Sequence, residues 1–288
     1  MSELKSVLVH LDSTPQAAVR LKVAMQLAAQ HGAVADALYA VNSALSRYPV
    51  AVGAGVEMAG MLLEVDEKRL AATRAMFARA LAEWQPAVQW HQGDGLPVRD
   101  TARMALYADL LVLGQRGSGD DADADVPADF VPSVLIDSGR AALVLPYIAQ
   151  SALLAGTVLV AWNETRECAR AVTAALPLLR HAAQVVVVCF DGSGSSAETA
   201  VDSGSDIGTA RTALLETYLH QHGVVAHIQH QPAPTHDLGE HLLSLVADLP
   251  ADLLVMGCYG HGRAREWVMG GITRTVLQAM TVPVLMAH

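Results

Sequence analysis

The chain has 288 residues, 52% of them hydrophobic, a mean hydropathy of +0.30 and a formal charge of −10 at pH 7. That length predicts two domains of similar size, with ample apolar material for two cores. An acidic pI near 5.6 and 5% aromatics exclude a basic stripe or a stacking platform for nucleic acid, and no apolar run approaches the ~18 residues of a membrane span.

The opening MSELKSVLVHLD places an acidic residue and a lysine before an apolar strand, which is not a secretory leader, so a cytoplasmic protein is expected. Ser6 to Leu11 reads as that strand; Asp12 or Ser13 can cap, and Pro15 can start, an Ala-rich helix from Gln16 to His31 that ends at Gly32. Ala33 to Asn42 supplies a second strand, Ser43 to Gly60 a small-residue loop, and Met61 to Trp84 a helix. Val88 to Gln92, Asp100 to Tyr107 and Leu110 to Leu113 continue as strand, helix, strand. Such alternation predicts a parallel sheet covered by helices. Gly114-x2-Gly117 then leads into an acidic run with Asp120, Asp121, Asp123, Asp125 and Asp129. It reads as a solvated flexible loop that would repel a triphosphate. No glycine turn and closing glutamate give it EF-hand spacing.

Residues 145–156 form a junction, after which VLVAWNETRECARAV repeats SVLVHLDSTPQAAVR, aligning Asp12 with Asn163. The repeat implies duplication of one α/β unit, with domains at 1–150 and 151–288. Gln184 to Phe190 is the second strand of the new unit, Asp191 to Gly208 a Gly/Ser/Asp loop, Thr209 to His222 a helix, Val224 to Gln229 a strand, and Leu238 to Leu249 a helix. Nine of the twelve histidines follow residue 180. His227 and His230 would fall on opposite faces of a strand, which makes surface histidines a better reading than a zinc site. Cys168, Cys189 and Cys258 lack C-x-x-C spacing and read as reduced thiols. Ser193 and Ser195 have no G-x-S-x-G elbow around them.

The last stretch carries the strongest signal. A buried-strand run, Leu253 to Met256, stops at Gly257, where Gly257-x2-Gly260-x9-Gly270-Gly271 begins. The final glycine pair opens a helix with Ile272, Val276, Leu277 and Met280 on one face, followed by a strand from Val282 to Ala287. Glycines at a helix start let a ligand approach the backbone, and the free N–H groups of that turn favour an anion such as phosphate. Arg263, Arg265 and Arg274 leave the loop net positive, and Thr273 adds a hydroxyl. In the bland alternative these glycines only make turns. Aligning Val134 with Val276 puts Ala128 and Asp129 where Gly270 and Gly271 stand, so the first half is expected to have lost the site. Every lysine (Lys5, Lys22, Lys68) precedes residue 69, which excludes a Walker-type loop or kinase-type lysine from the second half. A Rossmann G-x-G-x-x-G fails too, because the glycines follow the fourth strand rather than the first.

This pattern, G-x2-G-x9-G and a small residue between a strand ending in Met256-Gly257 and a helix followed by Pro283-Val284-Leu285, resembles the ATP-binding branch of the universal stress proteins. Nearly the whole chain takes part in the resemblance, but the glycines stand only in the second half, and Gly271 replaces the family's usual serine. What the resemblance implies is an α/β fold of two tandem open parallel five-stranded sheets covered by helices, Rossmann-like. It further implies ATP, with or without Mg, in the second domain. Adenine would lie against Ala161, Trp162, Asn163 and Cys189, and ribose and phosphates against Met256, Gly257, Tyr259, Gly260, Gly270, Gly271, Ile272 and Thr273. Asn163 falls where the family often has an aspartate; from the residues alone it is equally a helix N-cap. The expected protein is a nucleotide-dependent stress regulator, with at most slow ATP hydrolysis. Its halves would pack as a pseudo-dimer through their final strands, or the chain as a homodimer. A scaffold that binds no nucleotide, with both sites vestigial, is the competing class.

Overall fold

The computed structural model describes residues 3–47, 56–83, 88–117, 125–149, 156–191, 206–232, 234, 237–260 and 271–288. It divides into two compact units, Leu4–Ser151 and a second built on Ala152–His288.

In the first unit, strands β1 (Ser6–Leu11), β2 (Val34–Tyr39), β3 (Val88–Gln92), β4 (Leu110–Gly114) and β5 (Ala142–Leu145) lie in the order β3-β2-β1-β4-β5. Every one of these pairings is parallel. Parallel neighbours need crossovers, which put helices on the sheet's faces and leave the inner strands dry. Val7, Leu8, Val9, Leu111, Val112 and Leu143 are accordingly buried. The helices are α1 (Gln16–His31), α2 (Ala44–Arg47), α3 (Val56–Glu83), α4 (Pro97–Ala105) and α5 (Phe130–Ser138).

Several boundaries differ from the sequence reading, each for a local reason. The residue at the N-cap of α1 is Pro15, with no side-chain cap, because Asp12 Oδ1 instead accepts from Thr14 N at 3.0 Å and Thr14 Oγ1 at 2.6 Å. Within the expected 43–60 loop, α2 forms where Asp66 accepts from Ala44 N (3.0 and 2.9 Å), and α3 begins at Val56 rather than Met61. Helix α4 starts at Pro97, whose missing N–H costs nothing in a first turn. Asp100, expected to open that helix, reaches back to Asp94 N (2.8 Å) and Leu96 N (3.1 Å).

The second unit repeats the plan with β6 (Thr157–Trp162), α6 (Arg166–Leu179), β7 (Gln184–Asp191), α7 (Asp206–Gln221), β8 (Ala226–Pro232), α8 (Leu238–Asp248), β9 (Leu253–Gly257), α9 (Gly271–Ala279) and β10 (Val284–Ala287). Its strand order is β10-β9-β6-β7-β8, again parallel throughout. Among the described residues no helix is long and apolar enough to cross a membrane.

One buried histidine makes the first unit pH-sensitive. His10 is 2% exposed, donates from Nε2 to Ala40 O at 2.7 Å and lies against Phe130. Burial lowers its pKa to about 4, overcoming the opposite pull of Asp12 and Asp125. The unfolded chain therefore binds a proton near pH 6.5 that the folded unit refuses until about pH 4, so stability falls as pH drops through that window. About 2 kcal/mol should be lost between pH 7 and pH 5. Urea unfolding at the two pH values checks this: His10→Gln should flatten the slope, and an unchanged slope would assign it elsewhere.

Candidate functional site

The second unit's strand order turns at β6, with β7 and β8 on one side and β9 and β10 on the other. In an open parallel sheet ligands lie beyond the carboxyl ends of the strands at such a switch point, which here are the ends of β6, β7 and β9. The register fixes its floor: Ala161 lies beside both Val188 and Met256, Trp162 beside Cys189, and Gly257 beside Ala287. Five of the expected residues, Ala161, Trp162, Cys189, Met256 and Gly257, are thus brought together. Asn163 follows β6, and Tyr259 and Gly260 follow β9. Gly271, Ile272 and Thr273 form the first turn of α9, with Gly271 exposed and Thr273 buried. Gly270, Arg263 and Arg265 lie outside the described residues.

Asn163 is not the N-cap. Thr165 holds that position with extended φ and ψ, and its Oγ1 accepts from Cys168 N at 3.3 Å. The same hydroxyl donates to Asn163 Oδ1 at 2.8 Å, which turns the amide NH2 of Asn163 into the group on offer to a partner. The signal was in the sequence, since a threonine two residues after an Asn repeats Asp12 and Thr14 of the first unit.

Backbone strain gathers here as well. The positive-φ residues other than glycine among those described are Glu164 (φ 57), after β6, and Tyr259 (φ 56), after β9. Trp162 Nε1 and Tyr259 OH are buried with no hydrogen-bond partner, the kind of orphaned donor that a native structure has to explain. Beside Trp162 opens a cleft of about 600 Å³ between α6 and α7, walled by Thr165, Val172, Leu214, Leu215 and Tyr218. Among the described residues, Trp162 alone of the expected site residues lines it.

Glu167, unnoticed in the sequence because an acid in a helix's first turn is ordinary, is 3% exposed and packs on the glycine loop. Burial opposes its ionised form, but the Arg166 guanidinium, 2.5 Å away, outweighs that and holds the carboxyl below the usual range. Burial and the Glu167 charge push the Cys258 thiol up, and burial pushes the Tyr259 phenol up. Both stay protonated at neutral pH, which removes Cys258 as a nucleophile. Arg170 donates to the His288 backbone oxygen at 2.7 Å, and His288 Nδ1 donates to Cys258 O at 3.3 Å.

In the first unit Asp12 and Thr14 make the same turn, but Arg20 fills the seam above Gly114, bonding Asp12 Oδ1 at 2.7 Å and His10 O at 3.0 Å. Of the acidic run, Asp129 is exposed as expected, whereas Asp125 departs from the expected solvated loop. Asp125 is 5% exposed and accepts from Ser13 N at 2.6 Å; Asp120, Asp121 and Asp123 lie outside the described residues.

This duplicated frame, with glycines after the fourth strand of its second copy, can be set beside known proteins. Residues 155–288 match the model of the universal stress protein family. The second unit is a universal stress protein domain. Over nearly the whole chain the fold is similar to that of a universal stress protein from Archaeoglobus fulgidus, with a TM-score of 0.67, 16% identity and 97% of each chain covered. A putative universal stress protein from Pseudomonas aeruginosa superposes with a TM-score of 0.60 at 15% identity, over 98% of this chain and 92% of that one. At such identities the likeness concerns the fold alone. No curated protein matches the sequence.

In the universal stress protein domain, a Cβ on Gly257 would come within 2.6 Å of Cys168 N and 2.8 Å of the Glu167 carbonyl carbon. Backbone has little room to move, so Gly257→Ala should cost about 1–3 kcal/mol. Among the described residues a Cβ on Gly271 meets only Asp237 Oδ2, at 4.0 Å, so Gly271→Ala should be neutral or stabilising. Equal melting temperatures for the two variants would show that the glycine loop is not wedged against α6.

Proposed function

We propose that the universal stress protein domain binds an adenine nucleotide, ATP, at the carboxyl ends of β6, β7 and β9, and that the chain is a cytoplasmic, nucleotide-dependent regulator of a stress response. The observation that carries this reading is the switch-point register, which sets Ala161 against Met256 and Trp162 against Cys189, next to the strained Glu164 and Tyr259 and the unpaired donors of Trp162 and Tyr259. Adenine lies against Ala161, Trp162, Asn163 and Cys189, with the Asn163 NH2 donating to a ring nitrogen. Ribose and phosphates follow along Met256, Gly257, Tyr259 and Gly260 to Gly270, Gly271, Ile272 and Thr273. There the open N–H groups and dipole of α9 favour the anion. Any Mg that accompanies the nucleotide would be held chiefly by its phosphates, as Mg commonly is.

Two carboxylates favour the competing scaffold reading. Glu167 packs on Gly260, and Asp237 lies near Gly271. Both would repel a polyphosphate, and binding measurements separate the readings.

Undialysed protein should carry adenine nucleotide by mass spectrometry, and calorimetry should give one ATP per chain. Gly271→Asp adds a carboxylate where the fold has room. At ~4 Å and an effective dielectric of ~20 the repulsion is about 4 kcal/mol, roughly a thousandfold loss of affinity at an unchanged melting temperature. A parent chain that binds no adenine nucleotide, or a variant that binds like the parent, overturns the proposal. Turnover should be far below the ~10 s⁻¹ of a typical enzyme, since the domain has no lysine to clamp the phosphates and Cys258 stays protonated.

A further inference from the structure

The cleft of about 600 Å³ between α6 and α7 takes no part in the nucleotide reading, yet it has the volume of a small-molecule site. Its walls are largely apolar. Trp162 stands at the end of β6, Ala169 and Val172 come from α6, and Leu214 and Leu215 come from α7. Val172 and Leu215 are buried, whereas Leu214 is 72% exposed, so the apolar lining runs from the floor of the cleft out to its rim.

The hydroxyl groups on these walls are already engaged. Thr165 Oγ1 donates to Asn163 Oδ1 at 2.8 Å and accepts from Cys168 N at 3.3 Å. Thr173 Oγ1 donates to Ala169 O at 2.8 Å, which leaves it to accept from Tyr218 OH, 3.2 Å away. Glu164, the acid on the wall, has a partner within the chain. Arg166 differs. Its Nε is anchored on Glu167 Oε1 at 2.5 Å and its side chain is 71% exposed, and among the described residues its two Nη groups have no hydrogen-bond partner. Anchoring one nitrogen limits the swing of the guanidinium and presents the remaining N–H groups together, an arrangement suited to a carboxylate. An apolar cleft with one such cation on its rim matches a ligand with an apolar body and a single anionic end. The rings of Trp162 and Tyr218 on its walls favour a flat body over a flexible chain.

We propose that this cleft is a second ligand site of the universal stress protein domain, for a small aromatic carboxylate whose ring lies among Trp162, Val172, Leu214 and Leu215 and whose anionic end pairs with Arg166. It stands apart from the nucleotide reading, since it uses no glycine of the motif and shares only Trp162 with the residues assigned there.

The test titrates the full chain calorimetrically with 2-naphthoate and with 2-naphthalenemethanol, its neutral counterpart. The acid should bind at one per chain and at least about tenfold more tightly than the alcohol. Arg166→Ala should remove that difference while leaving the affinity for the alcohol unchanged. Ala169→Phe puts a large side chain at an exposed position on the α6 wall, so it should exclude both compounds at an unaltered melting temperature, and it serves also if Arg166→Ala does not fold. Gly271→Asp, the variant that blocks the nucleotide site, should bind the acid like the parent. Decanoate, with the same anionic end on a flexible chain, should bind more weakly than 2-naphthoate. Absent binding, equal affinities for acid and alcohol, or acid binding that ignores Ala169→Phe overturns the proposal. Loss of acid binding in Gly271→Asp overturns it too, by placing the compound on the glycine loop, and decanoate binding more tightly than 2-naphthoate overturns the aromatic assignment.

Discussion

Strand β6 is hydrogen-bonded along both edges to parallel neighbours, and most of what is distinctive in the second unit depends on that pairing. Parallel neighbours cannot be joined by hairpins, so each connection returns as a helix over one face, and Val158, Leu159 and Val160 are sealed on both sides. Every loop that leaves the carboxyl end must then begin at the same level. The floor formed by Ala161, Met256, Trp162 and Cys189 is a consequence of this register, not of attraction among those four side chains. The fold provides the place, and the residues in the loops decide the chemistry.

The two units show how one change in charge propagates. Asp12 and Asn163 occupy corresponding turns, each accepting a hydrogen bond from a threonine hydroxyl two residues on. At 8% exposure Asp12 requires a compensating charge, and Arg20 provides it by threading the seam between α1 and β4. The neutral Asn163 requires none, and Ala171 stands where the repeat places Arg20. Without an arginine in the way, the first turn of α6 closes directly on Gly257. One seam is filled by a guanidinium, the other by backbone.

Strands β1, β4, β6 and β9 were legible as apolar runs because parallel inner strands must be apolar on both faces, and Gly32 marked the end of α1 through its left-handed φ of 60. The segment before Met61 misled because small residues and glycines signal a loop, while α2 is secured by Asp66 from the next helix. Asp125 shows the same limit more sharply. Five aspartates near one another look solvated, yet the environment of this one is made by Ser13, Arg47 and Arg69, all distant in sequence. Glu167 was hidden for the opposite reason, as a commonplace first-turn acid whose burial follows only from the approach of α6 to the glycine loop.

That approach also separates the glycines of the motif into two kinds. At Gly257 a side chain is excluded by the backbone of Cys168 and Glu167, a packing requirement that would exist with no ligand at all. At Gly260 the neighbour is the end of the Glu167 side chain, which can yield. Gly271 has neither constraint. It takes no positive φ, the nearest atom to an added Cβ among the described residues is 4.0 Å away, and a helix start ordinarily prefers a residue with a side chain. Packing accounts for Gly257, whereas among the described residues nothing requires a glycine at 271. Close packing against α6 therefore sets the N-terminal end of the glycine spacing, at Gly257, and relaxes by Gly260, where only a side-chain end stands in the way.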